Sequence, residues 1–262
     1  MSDRWVILDV GETLIDETRV WSLWADLLRI PRLTFMAAFG ATLAFGGEHR
    51  DTFDRFGGTD WLARWPEHEA LYGGFQAGDL YPDALAGIAA LRAAGYRVAV
   101  IGNQPAIRTA QLRALGVDAE VIAMSEEMGV AKPAPEFFSR ALELIGSPPP
   151  GSVAYVGDRV ANDVLPAAAA GMRAIWIRRG PWGVIEQLPE RVAPALVVDS
   201  LSELAERIGE AWTGLPAGDA SGYTPATAPR WGTARTGPLS PVLRWRLRIA
   251  ARSHLFRRRT WT

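Results

Sequence analysis

The 262-residue chain contains no cysteine, which excludes disulfides and thiolate-held metals. Its three histidines, His49, His68 and His254, are too scattered to build an imidazole site, so any metal must be held by oxygen. Lysine is nearly absent as well: 27 of the 28 basic residues are arginine, and the exception is Lys132. The longest uncharged apolar stretch, 33–47, has 15 residues against the roughly 20 needed to span a bilayer. The opening Met1-Ser-Asp-Arg4 has no secretory character, so a cytoplasmic location is expected. There is no Walker-type glycine loop, no G-x-S-x-G elbow and no H-E-x-x-H helix, which leaves nucleotide-loop, serine and zinc hydrolases without support.

What is present describes a globular chain, 48% hydrophobic and 22% charged. The net charge of −1 conceals an asymmetry: 19 basic and 27 acidic residues over 1–209 give −8, and 9 and 2 over 210–262 give +7. An arginine bias this strong is a background property of the chain. A lysine that persists within it marks a place where a compact ammonium does what a planar guanidinium cannot.

The stretch Arg4 to Leu14 reads as a buried strand that delivers Asp9 and breaks at Gly11. Residues 16–79 read as helical and unusually aromatic, punctuated by Gly46-Gly47 and Gly57-Gly58. From Leu80, helix and strand alternate. Helices are expected near 82–94, 106–115, 135–145, 162–170 and 200–211, and strands at 96–101, 119–123, 153–156, 174–177 and 196–198. Such alternation builds an α/β fold, a Rossmann-like parallel sheet with helices on both faces. Ten of the 28 residues from 214 to 241 are Gly or Pro, the composition of an unstructured linker. Beyond it lies a basic tail with Leu243-Arg-Trp-Arg-Leu-Arg-Ile249 and Arg257-Arg-Arg259. The tail reads as an incidental extension, with contact to nucleic acid or an anionic membrane as the minor alternative.

Four short stretches sit at or just beyond strand ends: Asp9-Val-Gly-Glu-Thr-Leu14, Ile101-Gly-Asn103, Lys132-Pro133 and Gly157-Asp158 followed by Asp163. Singly they are weak, since a strand-end Asp is often a cap and Gly-Asn often a turn. Their order and placement together resemble the haloacid dehalogenase-like superfamily, with its DxDxT, Ser/Thr-Asn, Lys and GDxxxxD motifs. The resemblance covers residues 4–209. It implies a core of 1–15 and 80–211, a helical cap of the C1 type over 16–79, and 212–262 outside the fold. It further implies Asp9 as nucleophile and Mg²⁺ held by Asp9, Asp158 and the carbonyl of Gly11, with Asp163 in support. Thr13 would brace the loop and contact substrate with Gly102 and Asn103, and Lys132 would bind both Asp9 and the phosphate.

Elementary chemistry asks for the same set. A carboxylate can attack a dianionic phosphate monoester only where cationic charge cancels the repulsion. Mg²⁺ takes oxygen ligands and keeps several waters, so a few carboxylates and one carbonyl suffice.

Two positions depart from the family pattern. Gly11 stands where a second Asp would protonate the leaving group, a contribution of typically ~10²–10⁴-fold. Gly102 stands where a hydroxyl would meet the phosphoryl group. Glu12 is a weak substitute for the missing acid, because adjacent side chains diverge.

Three readings follow. The first is a Mg²⁺-dependent phosphatase acting on a small phosphorylated substrate, of reduced efficiency. The second is a catalytically weak protein that binds a phosphorylated ligand or a partner. The third is a 2-haloacid dehalogenase, for which Gly11 is harmless but the extra carboxylates are not. Trp21 and Trp24 are expected to pack in a core; a surplus of such aromatics could instead bury a homodimer interface.

Overall fold

The computed structural model describes residues 3–213 apart from Thr59 and Arg191. The linker and basic tail expected from residue 214 onward lie outside the described residues. In chain order the elements are β1 (Trp5–Leu8), α1 (Thr18–Leu27), α2 (Arg32–Ala44), a 3₁₀ segment His49–Phe56, and α3 (Trp61–Tyr72). There follow α4 (Ala84–Ala93), β2 (Arg97–Gly102), α5 (Arg108–Ala114), β3 (Val121–Met124), α6 (Ser125–Met128) and α7 (Pro135–Leu144). The chain closes with β4 (Val153–Gly157), α8 (Leu165–Ala169), β5 (Arg173–Ile177), α9 (Gly180–Ile185), β6 (Leu196–Val198) and α10 (Leu201–Arg207).

The six strands form one parallel sheet in the order β3-β2-β1-β4-β5-β6. Strands covered on both faces read as unbroken apolar runs, and all four residues of β1 are buried. Their side chains alternate. Val6 and Leu8 join Val98, Val100, Ile88 and Leu201 on one face, while Trp5 and Ile7 join Ile101, Phe137, Phe138 and Tyr155 on the other. The order reverses between β1 and β4, and at such a switch point the loops leaving the carboxyl ends of the strands diverge into a crevice. Asp9 and Asp158 follow those two strands directly.

Between β1 and α4 the chain inserts α1, α2, the 3₁₀ segment and α3. Asp60 caps α3, its carboxylate accepting the Ala63 N–H at 3.2 Å. Trp21, Trp24, Phe35, Phe39 and Phe53 form a third apolar cluster with Trp182 of α9. Trp21 and Trp24 are 8% and 2% exposed, so these two pack inside the chain as expected, whereas Phe45 of the same insertion is 85% exposed. Arg108 of α5 fastens the insertion to the core, pairing with Glu69 of α3 at 2.7 Å and lying over the Tyr72 and Phe75 rings.

Two expectations change. The single helix near 162–170 is a π-helical turn at Val160–Val164 followed by the short α8. A further helix, α9, lies between β5 and β6, where no element was expected. Among the described residues no single helix is long and apolar enough to cross a membrane. The pair α1 and α2 has the length and composition together but bends by 116°.

Candidate active site

Asp9 continues β1 by one residue, its N–H donating to the Val156 carbonyl at 2.9 Å. The chain then turns sharply: the N–H groups of Leu14 and Ile15 both donate to the Val10 carbonyl at 2.9 Å. Glu12 lies at φ 49°, a left-handed conformation uncommon for a residue with a side chain. Its carboxylate is engaged within the loop, one oxygen accepting the Glu17 N–H at 3.0 Å and the other the Tyr81 hydroxyl.

Lys132 reaches the centre from the loop after α6. Its ammonium lies 2.8 Å from Asp9 Oδ1 and 2.6 Å from Asp163 Oδ1, between the Tyr155 and Phe137 rings. Asn103, just beyond β2, clamps the lysine backbone at two points. Its Nδ2 donates to the Lys132 carbonyl at 3.0 Å, and its Oδ1 accepts the Lys132 N–H at 2.9 Å. Asp163, in the π-helical turn, is held by the Arg159 N–H at 2.9 Å. Trp176 fixes the main chain at Asp158 by donating to its carbonyl at 2.8 Å.

Two glycines make this crowding feasible. A Cβ at Gly102 would lie 2.4 Å from Asp9 Oδ1, so a hydroxyl-bearing residue there would displace the Asp9 carboxylate. A Cβ at Gly157 would lie 2.4 Å from Asp163 Cγ.

Asp9, Asp158 and Asp163 each offer an oxygen such that all three lie within 4.8 Å of one another, and all three are buried. Burial raises the Asp9 carboxyl to about 6, with Lys132 opposing and Asp163 reinforcing the rise. Burial, then the charges of Asp163 and Asp9, push Asp158 well above its ordinary value. Burial alone would lower the Lys132 ammonium. The two carboxylates outweigh it and hold the lysine well above its usual range. Asp158 Oδ2 is buried without a hydrogen-bond partner. Three mutually repelling carboxylates, one carrying an orphaned oxygen, match what a hard divalent cation requires.

Of the residues singled out from sequence, the structure brings Asp9, Lys132, Asp158 and Asp163 together. Gly11 and Gly102 flank them. Both polar atoms of the Asn103 amide are engaged by the Lys132 backbone. Thr13 is wholly buried, with its hydroxyl unpartnered.

Glu17, which sequence reasoning passed over, enters the site beside Gly11. A Cβ at Gly11 would lie 2.5 Å from Glu17 Oε1. Burial, then the charges of Glu12 and Asp9, raise its carboxyl to about 8. The Trp21 indole N–H lies near enough to favour its charge but outside hydrogen-bonding geometry. Arg159, also missed, lies over the Trp182 ring and pairs with Glu48 of the insertion at 3.2 Å.

The switch-point crevice thus holds a buried carboxylate, an ammonium and two further acids. Residues 4–171 match the family described as haloacid dehalogenase-like hydrolase, and the chain belongs to that family.

Similar proteins include a glyceraldehyde 3-phosphate phosphatase of Methanopyrus kandleri, 32% identical over 133 residues, covering 50% of this chain and 57% of the relative. A phosphoserine phosphatase of Thermus thermophilus is 34% identical over 169 residues, covering 63% and 66% respectively. The chain thus spans less than two thirds of the length of these relatives. The fold resembles that of the magnesium-bound HAD-hydrolase YfnB of Bacillus subtilis, with TM-score 0.61, 18% identity and coverage of 79% of this chain and 98% of that one. It also resembles the L-2-haloacid dehalogenase RSc1362, with TM-score 0.59, 18% identity and coverage of 80% and 100%.

Proposed function

We propose that the protein is a phosphatase of small phosphate monoesters that acts through Asp9 as nucleophile. The observation that carries the reading is Lys132 bridging Asp9 and Asp163 within a buried cluster that also contains Asp158. The phosphatase relatives support the reaction class; their differing substrates leave the ester itself open.

Asp9, Asp158, Asp163 and the Gly11 carbonyl would hold Mg²⁺, which supplies charge neutralisation at the phosphoryl oxygens when bound. Lys132 keeps one Asp9 oxygen fixed and presents positive charge on the phosphoryl side. Asn103 holds Lys132 in register from its backbone. Asp9 attacks phosphorus and the ester bond breaks, leaving an aspartyl-phosphate that water then hydrolyses. The aromatic insertion stands over the crevice as a cap and carries substrate selection. A haloacid anion is a poorer fit, since Asp158 and Asp163 beside the nucleophile repel it and a halide needs neither of them.

Release of phosphate from p-nitrophenyl phosphate with Mg²⁺ tests the reading. Wild-type protein should turn it over and lose the activity on chelation, and Asp9→Asn should lose essentially all of it while melting normally. Metal-independent chloride release from a 2-haloacid would overturn it, as would binding of phosphate esters without hydrolysis.

A further inference from the structure

Asp9 can attack an alkyl phosphate productively only if something protonates the departing oxygen. The carboxyl groups around it can be sorted by what already occupies them. Asp163 accepts from Lys132 and from the Arg159 N–H. Asp158 belongs to the three-carboxylate cluster. Glu12 has one oxygen on the Glu17 N–H and the other on the Tyr81 hydroxyl. Glu17 remains: its carboxyl lies beside the backbone of Gly11, two residues after the nucleophile.

Its position is defined by a residue without a side chain. Gly11 does not adopt the left-handed backbone that would demand glycine, so what it provides is room. A Cβ built there would lie 2.5 Å from Glu17 Oε1 and 3.1 Å from Glu17 Cδ, which means that a side chain at 11 and the Glu17 carboxyl compete for one volume. Glu17 is the N-cap residue of α1, and the Glu12 carboxylate fixes its backbone N–H. Its backbone is therefore fixed beside the loop after Asp9.

We propose that Glu17, reaching in from the first helix of the insertion, is the general acid and base of the reaction, taking the place that a side chain at residue 11 would otherwise fill. The proposal rests on the phosphatase reading. In the first step an Asp9 oxygen bonds to phosphorus, the bond from phosphorus to the ester oxygen breaks, and that oxygen takes the Glu17 proton and leaves as an alcohol. In the second step the Glu17 carboxylate takes a proton from water as its oxygen bonds to phosphorus. The bond from phosphorus to Asp9 breaks, and phosphate, free Asp9 and protonated Glu17 result.

The test uses the full chain with Mg²⁺ and two substrates, an alkyl phosphate and p-nitrophenyl phosphate, whose leaving group departs without a proton. Glu17→Gln should lose ~10²–10⁴-fold on the alkyl ester, the scale of general acid–base catalysis. On the aryl ester it should keep a near-normal first turnover, a burst of nitrophenolate, then stall as phosphorylated protein accumulates. Moving the carboxylate back provides a second arm. Glu17→Ala should lose alkyl turnover, and adding Gly11→Asp to Glu17→Ala should restore a substantial part of it. Equal losses on both substrates without a burst, or no loss on either, would overturn the proposal and leave the phosphatase reading standing. No Asp9-dependent turnover in the wild type would overturn both.

Discussion

At the scale of single residues, the solitary lysine is the sharpest case of chemistry legible in composition. Its side chain is 3% exposed, and its one nitrogen meets two carboxylates from different elements at 2.8 and 2.6 Å. A guanidinium would need a wider slot and would present its donors in fixed directions. Lys132→Arg is therefore expected to lower kcat by at least ~10²-fold, the scale of losing one preorganised charge contact. Steady-state kinetics on p-nitrophenyl phosphate would check this, and wild-type values would return the lysine to coincidence. Asn103→Ala should act one step removed, lowering kcat by roughly 10–10²-fold through misplacement of Lys132 with little change in KM. A rise in KM at constant kcat would instead restore Asn103 as a substrate contact. Glu17 shows where the sequence was mute. It lies eight positions after Asp9, no motif marks it, and only the volume left open at Gly11 discloses its role.

At the scale of elements, the aromatic insertion contains a pH-sensitive point. His68 of α3 stacks on Trp24 at 4.3 Å with an interplanar angle of 8°, and its Nε2 lies 3.0 Å from the Val20 carbonyl. Burial holds it below its ordinary value of 6.5, and burial holds His49 well below the same value. These two histidines then bind fewer protons in the folded chain than in the unfolded one below pH 6.5, so their contribution to stability is fully present above that value and is lost as pH falls towards the folded-state values. Their share of the melting-temperature change between about pH 7.5 and about pH 5.5 is a drop, opposed by the raised carboxyls of Asp9 and Glu17, which gain stability as they take up protons. His68→Phe keeps a ring against Trp24 and removes the proton site, so the dependence should become shallower by up to about one proton. An unchanged slope would place the titration elsewhere.

The strands themselves were legible because burial on both faces leaves unbroken apolar runs such as Val153-Ala-Tyr-Val156. Helix α9 was not: Gly180, Pro181 and Gly183 are breakers by local rule. The element persists because Trp182 fits edge-on against Phe39 at 5.5 Å and lies under the Arg159 guanidinium. The π-helical turn was equally hidden, since the Asp163 contacts within it come from residues distant in sequence or from the turn's own backbone.

At the scale of the whole molecule, the described packing ends at Trp212. Its indole donates to the Gly151 carbonyl at 2.9 Å, stacks on Tyr96 at 5.6 Å and lies under the Arg4 guanidinium. Trp212→Ala should cost about 0.5–3 kcal/mol. The composition of residues 214–262 predicts that truncation after Thr213 shifts the melting temperature by less than about 2 °C, and calorimetry of both variants would check the contrast.

The insertion joins the core by two crossings that lie side by side. Ile15 is bridged to Leu80, the Asp16 N–H donates to the Asp79 carbonyl at 2.8 Å, and the Tyr81 N–H donates to the Leu14 carbonyl at 2.9 Å. This is a narrow neck, and of the carboxylates around Asp9 only Glu17 stands on its far side. A swing about the neck would have to part Glu69 from Arg108 and the aromatic cluster from Trp182, and it would carry that one group away while nucleophile, ammonium and acidic cluster stayed where they are. With the insertion swung out, Asp9 would still attack an activated ester but could neither discharge an alcohol nor recruit water, so posture would decide which esters are completed.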